Sequence, residues 1–97
     1  MPVNGIKDNK CFESAIWMRG TWDFSVSAGD TETQAFSLTG SYPDNPVVVV
    51  TANDENYDPS EVLIYGYIDE LASNVVIGVK NNGSSALNNF NVNFVVI

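Results

Sequence analysis

Polar and apolar residues alternate along the last nine positions of the chain, 89–97. Successive side chains of a β-strand point to opposite faces of a sheet, so this pattern predicts a strand with one buried face. The predicted inward row is Phe90, Val92, Phe94 and Val96, with asparagines facing outward. Because the sequence stops within this pattern, we expect the C-terminus to be tied into a sheet.

Similar patterns recur upstream, over residues 13–18, 21–28, 32–39, 61–68 and 74–80. The first is a short apolar stretch that predicts a strand of its own, and Arg19-Gly20 separates it from the next. Gly29-Asp30 and the segment 81–85 are turn signals, because Gly and Asn tolerate a positive φ. The predicted inward rows are Trp22, Phe24, Val26 and Ala28, then Phe36 and Leu38, then Val62, Ile64 and Ile68, and finally Val75, Ile77 and Val79.

A run of four valines, 47–50, follows a loop with two prolines, Pro43 and Pro46. A strand that is β-branched at every position is typical of one covered on both faces, by a second sheet or by a neighbouring subunit. In the stretch 61–68, the side chains opposite the inward row are Leu63, Tyr65 and Tyr67.

These stretches predict an all-β protein, a small antiparallel β-sandwich of about six to seven strands. No segment has a sustained helical period, so there is no room for the crossover helices of a parallel sheet. The length of 97 residues fits one domain. We expect a single sandwich domain over 13–97, preceded by an N-terminal arm, 1–12, which has no periodicity.

The charge of the chain excludes several classes of partner. Twelve acidic residues face only four basic ones, and the net charge is −8. A chain so poor in cations lacks the positive surface that binds a phosphate backbone or an anionic membrane. We therefore expect no nucleic-acid and no membrane partner.

Catalytic chemistry has little support in the sequence. There is no histidine, so the commonest general base and metal ligand are both absent. The one cysteine, Cys11, has no basic partner to activate it, and Ser84-Ser85 is not part of a nucleophile motif. We predict that the protein is not an enzyme and that it needs no cofactor and no metal.

The acidic segment 54–59 is the strongest candidate for a ligand site. Asp54, Asn56 and Asp58 alternate as at the start of a calcium-binding loop, but Pro59 stands where that loop needs glycine. The alternative interpretation is a solvated acidic turn. Tyr57 adds a flat ring face beside the carboxylates, a combination that suits saccharides. The predicted ligand-binding residues are Asp54, Asn56, Tyr57 and Asp58.

From about Gly20 onward, the order of features resembles the H-type lectin-like sandwich at the tips of phage tail fibres and receptor-binding proteins. The most distinctive element is Tyr42-Pro43-Asp44-Asn45-Pro46 followed by the valines 47–50. Around it lie the Ala28-Gly29-Asp30 turn, the Ser73-Asn74-Val75 strand and a final strand that ends in Phe94-Val95-Val96-Ile97.

This resemblance implies a homotrimer around a threefold axis. The valine strand and the outer tyrosines also leave more apolar surface than a small monomer should expose. We expect the trimer interface to include Val48, Val50, Tyr65 and Tyr67.

The function implied is that of a small virion protein of a tailed phage, tail- or baseplate-associated, whose adhesin-like head contacts host cell-wall saccharides. One alternative is a purely structural virion component, such as a capsid decoration or tail-completion protein, which contacts other virion proteins and binds no ligand. Another is a cellular lectin-like module. The first residues lack the pattern of a signal peptide, so we expect synthesis in the host cytoplasm and a final location in the virion.

Overall fold

The part of the chain that the structure describes is built from β-strands alone. The computed structural model describes residues 16–97 except 39, 41, 43 and 56, so the predicted arm, 1–12, lies outside the described residues. The strands are β1 (Met18–Val26), β2 (Thr31–Ser37), β3 (Val48–Ala52), β4 (Val62–Asp69), β5 (Asn74–Asn81) and β6 (Leu87–Val96). Within these residues there is no helix of the length and apolar character needed to cross a bilayer.

The six strands form two three-stranded sheets packed face to face. The first sheet has the order β1-β6-β3 and the second the order β2-β5-β4. All neighbouring strands are antiparallel. Strand β1 packs beside β2 along one side of the sandwich, and β3 packs beside β4 along the other. The predicted small antiparallel β-sandwich is therefore confirmed.

The core lies between the sheets and consists of the inward rows. Strands β6 and β5 are central in their sheets, so their inward side chains are the most completely enclosed. The buried apolar residues are Phe24, Val26, Leu38, Val62, Val75, Val76, Ile77, Val79, Phe90, Val92, Phe94 and Val96. The inward rows predicted for β5 and for the last strand are thus confirmed.

The C-terminus is held in the first sheet, as expected. The backbone N–H of Val47 donates to the carbonyl of Ile97 (2.8 Å), and the N–H of Ile97 donates to the carbonyl of Val47 (2.9 Å). On the other side of β6, the N–H of Trp17 donates to the carbonyl of Val96 (2.8 Å). The last strand is therefore paired along both edges up to its end.

The start of β1 differs from the prediction. Residues 13–15 lie outside the described residues, and β1 begins at Met18 and continues through Arg19 and Gly20 without a break. Gly20 does not end a strand here, because it faces the core beside the ring of Phe94. A Cβ at position 20 would lie 2.5 Å from Cε1 of Phe94, so only glycine leaves room for that ring.

Two members of the inward row predicted for β1 are not in the core. Trp22 is 42% exposed, because β1 is an edge strand and the indole reaches the open rim between the sheets. There it meets the ring of Phe36 edge-on, with the ring centroids 6.1 Å apart. Ala28 lies beyond the strand, exposed in a tight turn in which Asp30 donates to the carbonyl of Ser27 (3.0 Å).

Three connections meet at one end of the sandwich. They are the β1–β2 turn (27–30), the β3–β4 loop (53–61) and the β5–β6 turn (82–86). Asn81 joins two of them, since its backbone N–H donates to Asp30 and its carbonyl accepts from Gly29. We call this region the loop end.

Candidate functional site

An open cleft of about 460 Å³ lies at the loop end. Its acidic wall comes from the β3–β4 loop, which contributes Asp54, Asp58 and Glu61. A volume of this size falls within the range of small-molecule sites, roughly 300–1,000 Å³. The cleft is therefore large enough to hold a small ligand.

The opposite wall is neutral and polar, and the core forms the base. Ser84, Ser85 and Asn88 line the side formed by the β5–β6 turn and the start of β6. The apolar side chains that reach the cleft include Val62 and Phe90, both buried. Hydroxyl, amide and carboxylate groups thus surround an apolar base, an arrangement that can bind a polyhydroxylated molecule through several hydrogen bonds.

Asp58 is held in a turn by its own side chain. Its Oδ1 accepts hydrogen bonds from the hydroxyl of Ser60 (2.6 Å) and from the backbone N–H of Ser60 (2.9 Å). The carbonyl of Asp58 also accepts from the N–H groups of Glu61 (3.0 Å) and Val62 (2.9 Å). The hydrogen bond from the Ser60 hydroxyl, followed by that from its N–H, holds the pKa of the Asp58 carboxyl below its ordinary value. Asp58 therefore presents a fixed negative charge at the cleft.

Asn81 supports the cleft from inside. It is 1% exposed, and its Nδ2 donates to the carbonyls of Val26 (3.2 Å) and Ser85 (2.9 Å). Its Oδ1 accepts from the N–H of Gly83 (3.0 Å). One amide thus links the end of β1 to both sides of the β5–β6 turn, and it fixes the neutral wall of the cleft.

A β-bulge brings Asn88 to the cleft. Phe24 pairs with Phe90 and Val26 pairs with Leu87, so β6 has one residue more than β1 between the two pairs. Asn89 takes a φ of 54°, a conformation that Asn adopts more readily than most residues. Bulges of this kind redirect side chains beside functional sites.

The predicted ligand residues divide between the cleft and the core. Asp54 and Asp58 both line the cleft. Tyr57 does not line it: the side chain is half-buried and its ring packs against Phe90, with centroids 5.9 Å apart. Asn56 lies outside the described residues. The two carboxylates line one cleft, whereas the ring of Tyr57 packs against the core.

Several cleft residues were not predicted from the sequence. Glu61 is the first residue of a strand pattern, and the polar residues after β5 give only a turn signal. The signal that could have found them is the concentration of Asn and Ser in 81–88, next to an acidic loop. The sequence pattern could not show that these two segments meet in space, because their meeting depends on strand order.

The structure places the predicted interface residues of β3 toward the core. Val48 and Val50 pack on the core, and their Cγ1 atoms lie close to Gly66 of β4. The outward side chains on this strand are Val47 and Val49, which are 52% and 41% exposed. Within one chain, the second sheet covers only the inward face of the valine run.

Tyr65 and Tyr67 lie on the outer face of the second sheet. Their rings are nearly parallel, at 4°, with centroids 6.5 Å apart. Tyr65 extends over Gly78 of β5, where a Cβ would collide with the tyrosine ring. Tyr67 is 50% exposed and so is Leu63, at 54%. The outer face of β4 is therefore an apolar, aromatic surface.

Metal binding finds no support in the described residues. They contain no group of three or more Asp, Glu, Cys or His side chains placed to hold an ion.

Comparison of the chain with family models, with curated proteins and with solved structures finds no significant match.

Proposed function

We propose that this chain is a small virion protein of a tailed bacteriophage, a non-catalytic binding module that contacts saccharides of the host cell surface through the loop-end cleft. The proposal combines two lines of support. The order of motifs from Gly20 onward resembles phage receptor-binding tips, and the loop end offers a cleft whose chemistry suits a sugar.

The observation that carries the proposal is the convergence of three kinds of polar group around one apolar base. Carboxylates of Asp58 and Glu61 accept hydrogen bonds, and the hydroxyls of Ser84 and Ser85 both donate and accept. A saccharide presents hydroxyl groups around a ring with apolar C–H faces, so it can satisfy both the rim and the base. The turn at Asp58 and the amide of Asn81 fix these groups before a ligand arrives, which lowers the entropy cost of binding.

The cleft is open, so we expect weak binding by a single copy and stronger binding by several. Three copies around the threefold axis that we propose would present three clefts to one surface. Linked binding of this kind can raise the apparent affinity by about 10²–10⁴-fold without new contacts. A surface-immobilised glycan array therefore detects the activity better than a titration with a free monosaccharide.

The test compares the wild-type protein with Glu61→Gln and Ser84→Trp on a glycan array and on purified bacterial cell walls. Glu61→Gln removes a charge from the rim, and Ser84→Trp fills the space. We expect wild type to bind a defined set of glycans and both variants to lose about tenfold or more of the binding signal. Glu70→Gln is the matched control, because it removes the same charge from an exposed position in the β4–β5 turn. The cleft would not be the saccharide site if both cleft variants still bind, or if Glu70→Gln reduces binding as much as they do.

The second candidate is a structural virion component that binds no ligand. It is favoured by the exposed apolar side chains on the outer faces of β3 and β4, which suit contacts with other virion proteins. A folded wild-type protein that binds neither glycans nor cell walls would support this candidate over the first.

A further inference from the structure

Strand β4 is an edge strand without the features that usually protect one. In its sheet it pairs with β5 on one side only, and no described residue pairs with the other side. Open edges offer free N–H and C=O groups to another strand, and proteins commonly block them with charges, prolines or short strands. Over its eight residues β4 has no proline and no basic residue, and its one acid, Asp69, is the last residue.

The other three edges are each protected. Strand β1 carries Arg19 and Asp23. Strand β2 carries Glu32 on the core side, opposite the buried Val79. Strand β3 has only five residues and follows Pro46. Charges, a nearby proline and a short strand are the usual protection against edge pairing. Among the four edge strands of the described residues, only β4 lacks this protection.

The sequence of β4 reads the same in both directions around its centre. Residues 64–68 are Ile-Tyr-Gly-Tyr-Ile, with Gly66 in the middle. We propose that β4 pairs antiparallel with β4 of a second copy of this chain, around a twofold axis through Gly66, to give a continuous six-stranded sheet. This pairing does not depend on saccharide binding.

The register follows from the symmetry. With Gly66 opposite its own copy, Tyr65 lies opposite Tyr67 of the second copy on the outer face, and Ile64 lies opposite Ile68 on the inner face. Aromatic and β-branched cross-strand pairs are among those that stabilise antiparallel sheets. A slip by one residue would bring outward tyrosines opposite inward isoleucines. A slip by two would place an isoleucine opposite Gly66 and lose the isoleucine pairs, so the palindrome favours this register.

The charges on the outer face are complementary in the same register. Leu63 pairs with Lys80 of β5 within one copy, and it would lie opposite Asp69 of the second copy. Strands are spaced about 4.8 Å apart, so Lys80 and that Asp69 would be roughly 10 Å apart at the backbone, within reach of the long lysine side chain. The twofold axis repeats this pair at the other end of the joint. Between residues 63 and 69 of the two copies, no like charges lie directly opposite each other.

The edge of the first sheet lies beside this joint. Strand β3 packs against β4, since a Cβ at Gly66 would come within 2.9 Å of both Val48 and Val50. Val47 and Val49 are exposed on the same side of the sandwich.

The test measures the oligomeric state by sedimentation equilibrium for wild type, Leu63→Asp and Leu63→Lys. We expect a wild-type dimer, or an even-numbered assembly if a threefold contact also forms. Leu63→Asp places two carboxylates opposite each other at both ends of the joint and should raise the dissociation constant about tenfold or more. Leu63→Lys places a cation opposite Asp69 and should leave the constant within about threefold of wild type. Ala28→Asp is the control, because Ala28 is exposed in the β1–β2 turn, on the side of the sandwich away from β4.

The different effects expected of Leu63→Asp and Leu63→Lys make the test specific for the register. A wild-type monomer or trimer would overturn the proposal, because the edge of β4 would then be free or covered by something else. An equal loss with Asp and Lys would overturn the register at Gly66.

Hydrogen exchange of the unmodified protein gives an independent measurement: amides of β4 should gain protection as the protein concentration rises, while those of β1 should not.

Discussion

Asn81 and Asn82 are adjacent and chemically identical, yet only the first is buried. The amide of Asn81 makes three hydrogen bonds, to the carbonyls of Val26 and Ser85 and from the N–H of Gly83. Asn81→Ala would leave these three backbone groups without that partner. Since each unsatisfied buried group costs about 1–3 kcal/mol, and some of these groups can be hydrated, we expect a loss of about 2–4 kcal/mol in the free energy of unfolding. Urea denaturation followed by circular dichroism measures it.

The matched control for this prediction is Asn82→Ala. The side chain of Asn82 is exposed, and surface substitutions usually change stability by less than about 0.5 kcal/mol. Asn81→Asp adds a second test, because it would place a carboxylate oxygen against two carbonyl oxygens and should destabilise at least as much as Asn81→Ala. Similar losses at positions 81 and 82 would contradict the role assigned to the buried amide.

Burial alternates along β6, so substitutions at neighbouring positions should differ greatly in their cost to the free energy of unfolding. Phe94 is 2% exposed, and its ring lies 4.9 Å from that of Phe36 and fills the space beside Gly20. Phe94→Ala should cost about 3–5 kcal/mol, a large part of the total stability of a domain of this size. Asn93 faces outward and donates one hydrogen bond to Asn91 (3.2 Å), so Asn93→Ala should cost less than about 1 kcal/mol.

Thermal and urea denaturation of the two variants, under identical conditions, test the assignment of faces in β6. The control is Phe90→Ala, which directly follows the bulge on the same inward row and should behave like Phe94→Ala. Equal effects at positions 93 and 94 would mean that the strand has a different register from the one observed.

The faces of the strands were predictable from the sequence, because burial alternates with a period of two wherever a strand has one face in the core. For this reason the rows of β5 and β6 were predicted correctly. The burial of Trp22 was not predicted correctly. The pattern identifies which way a side chain points, but it does not show whether the strand lies at the edge of its sheet. The sequence pattern places Arg19-Gly20 between two strands, because the ring that requires Gly20, that of Phe94, is distant in sequence.

The cleft was only half predictable for a similar reason. Asp54 and Asp58 stand out in one acidic segment, so the sequence alone identified that wall. The opposite wall comes from the β5–β6 turn and from the bulge at Asn89, and it meets the first only through the packing of two sheets. Tyr57 could not be assigned to core or surface, since its loop has no periodicity from which to read a face.

The whole molecule carries its negative charge with few compensating groups. Among the described residues the only basic side chains are Arg19 and Lys80, while the chain as a whole has a net charge of −8. Five acids, Asp30, Asp54, Glu55, Asp58 and Glu61, lie in the connections of the loop end. Any association between copies must therefore overcome a repulsion that is set by the whole molecule, in addition to the contacts at the joint.

The effect of salt on the dimer proposed at β4 depends on whether the repulsion between the two molecules exceeds the attraction of the charge pairs at the joint. Two molecules of charge −8 with centres about 30 Å apart repel by roughly 9 kcal/mol in salt-free water. The exposed pairs of Lys80 with Asp69 contribute about 0.2–1 kcal/mol each. Raising the ionic strength from about 0.01 M to about 0.15 M shortens the Debye length from about 30 Å to about 8 Å, which removes most of the repulsion. We therefore expect salt to tighten the dimer.

Sedimentation equilibrium across this range of salt measures the effect, and Asp30→Asn together with Asp44→Asn provides the comparison. Both residues are exposed and lie outside the strands, so the double variant lowers the net charge of each copy from −8 to −6. Repulsion varies with the square of the charge, so this variant should dimerise more tightly than wild type in low salt and equally in high salt. A dimer that salt weakens would instead mean that the charge pairs at the joint outweigh the charge of the whole molecule.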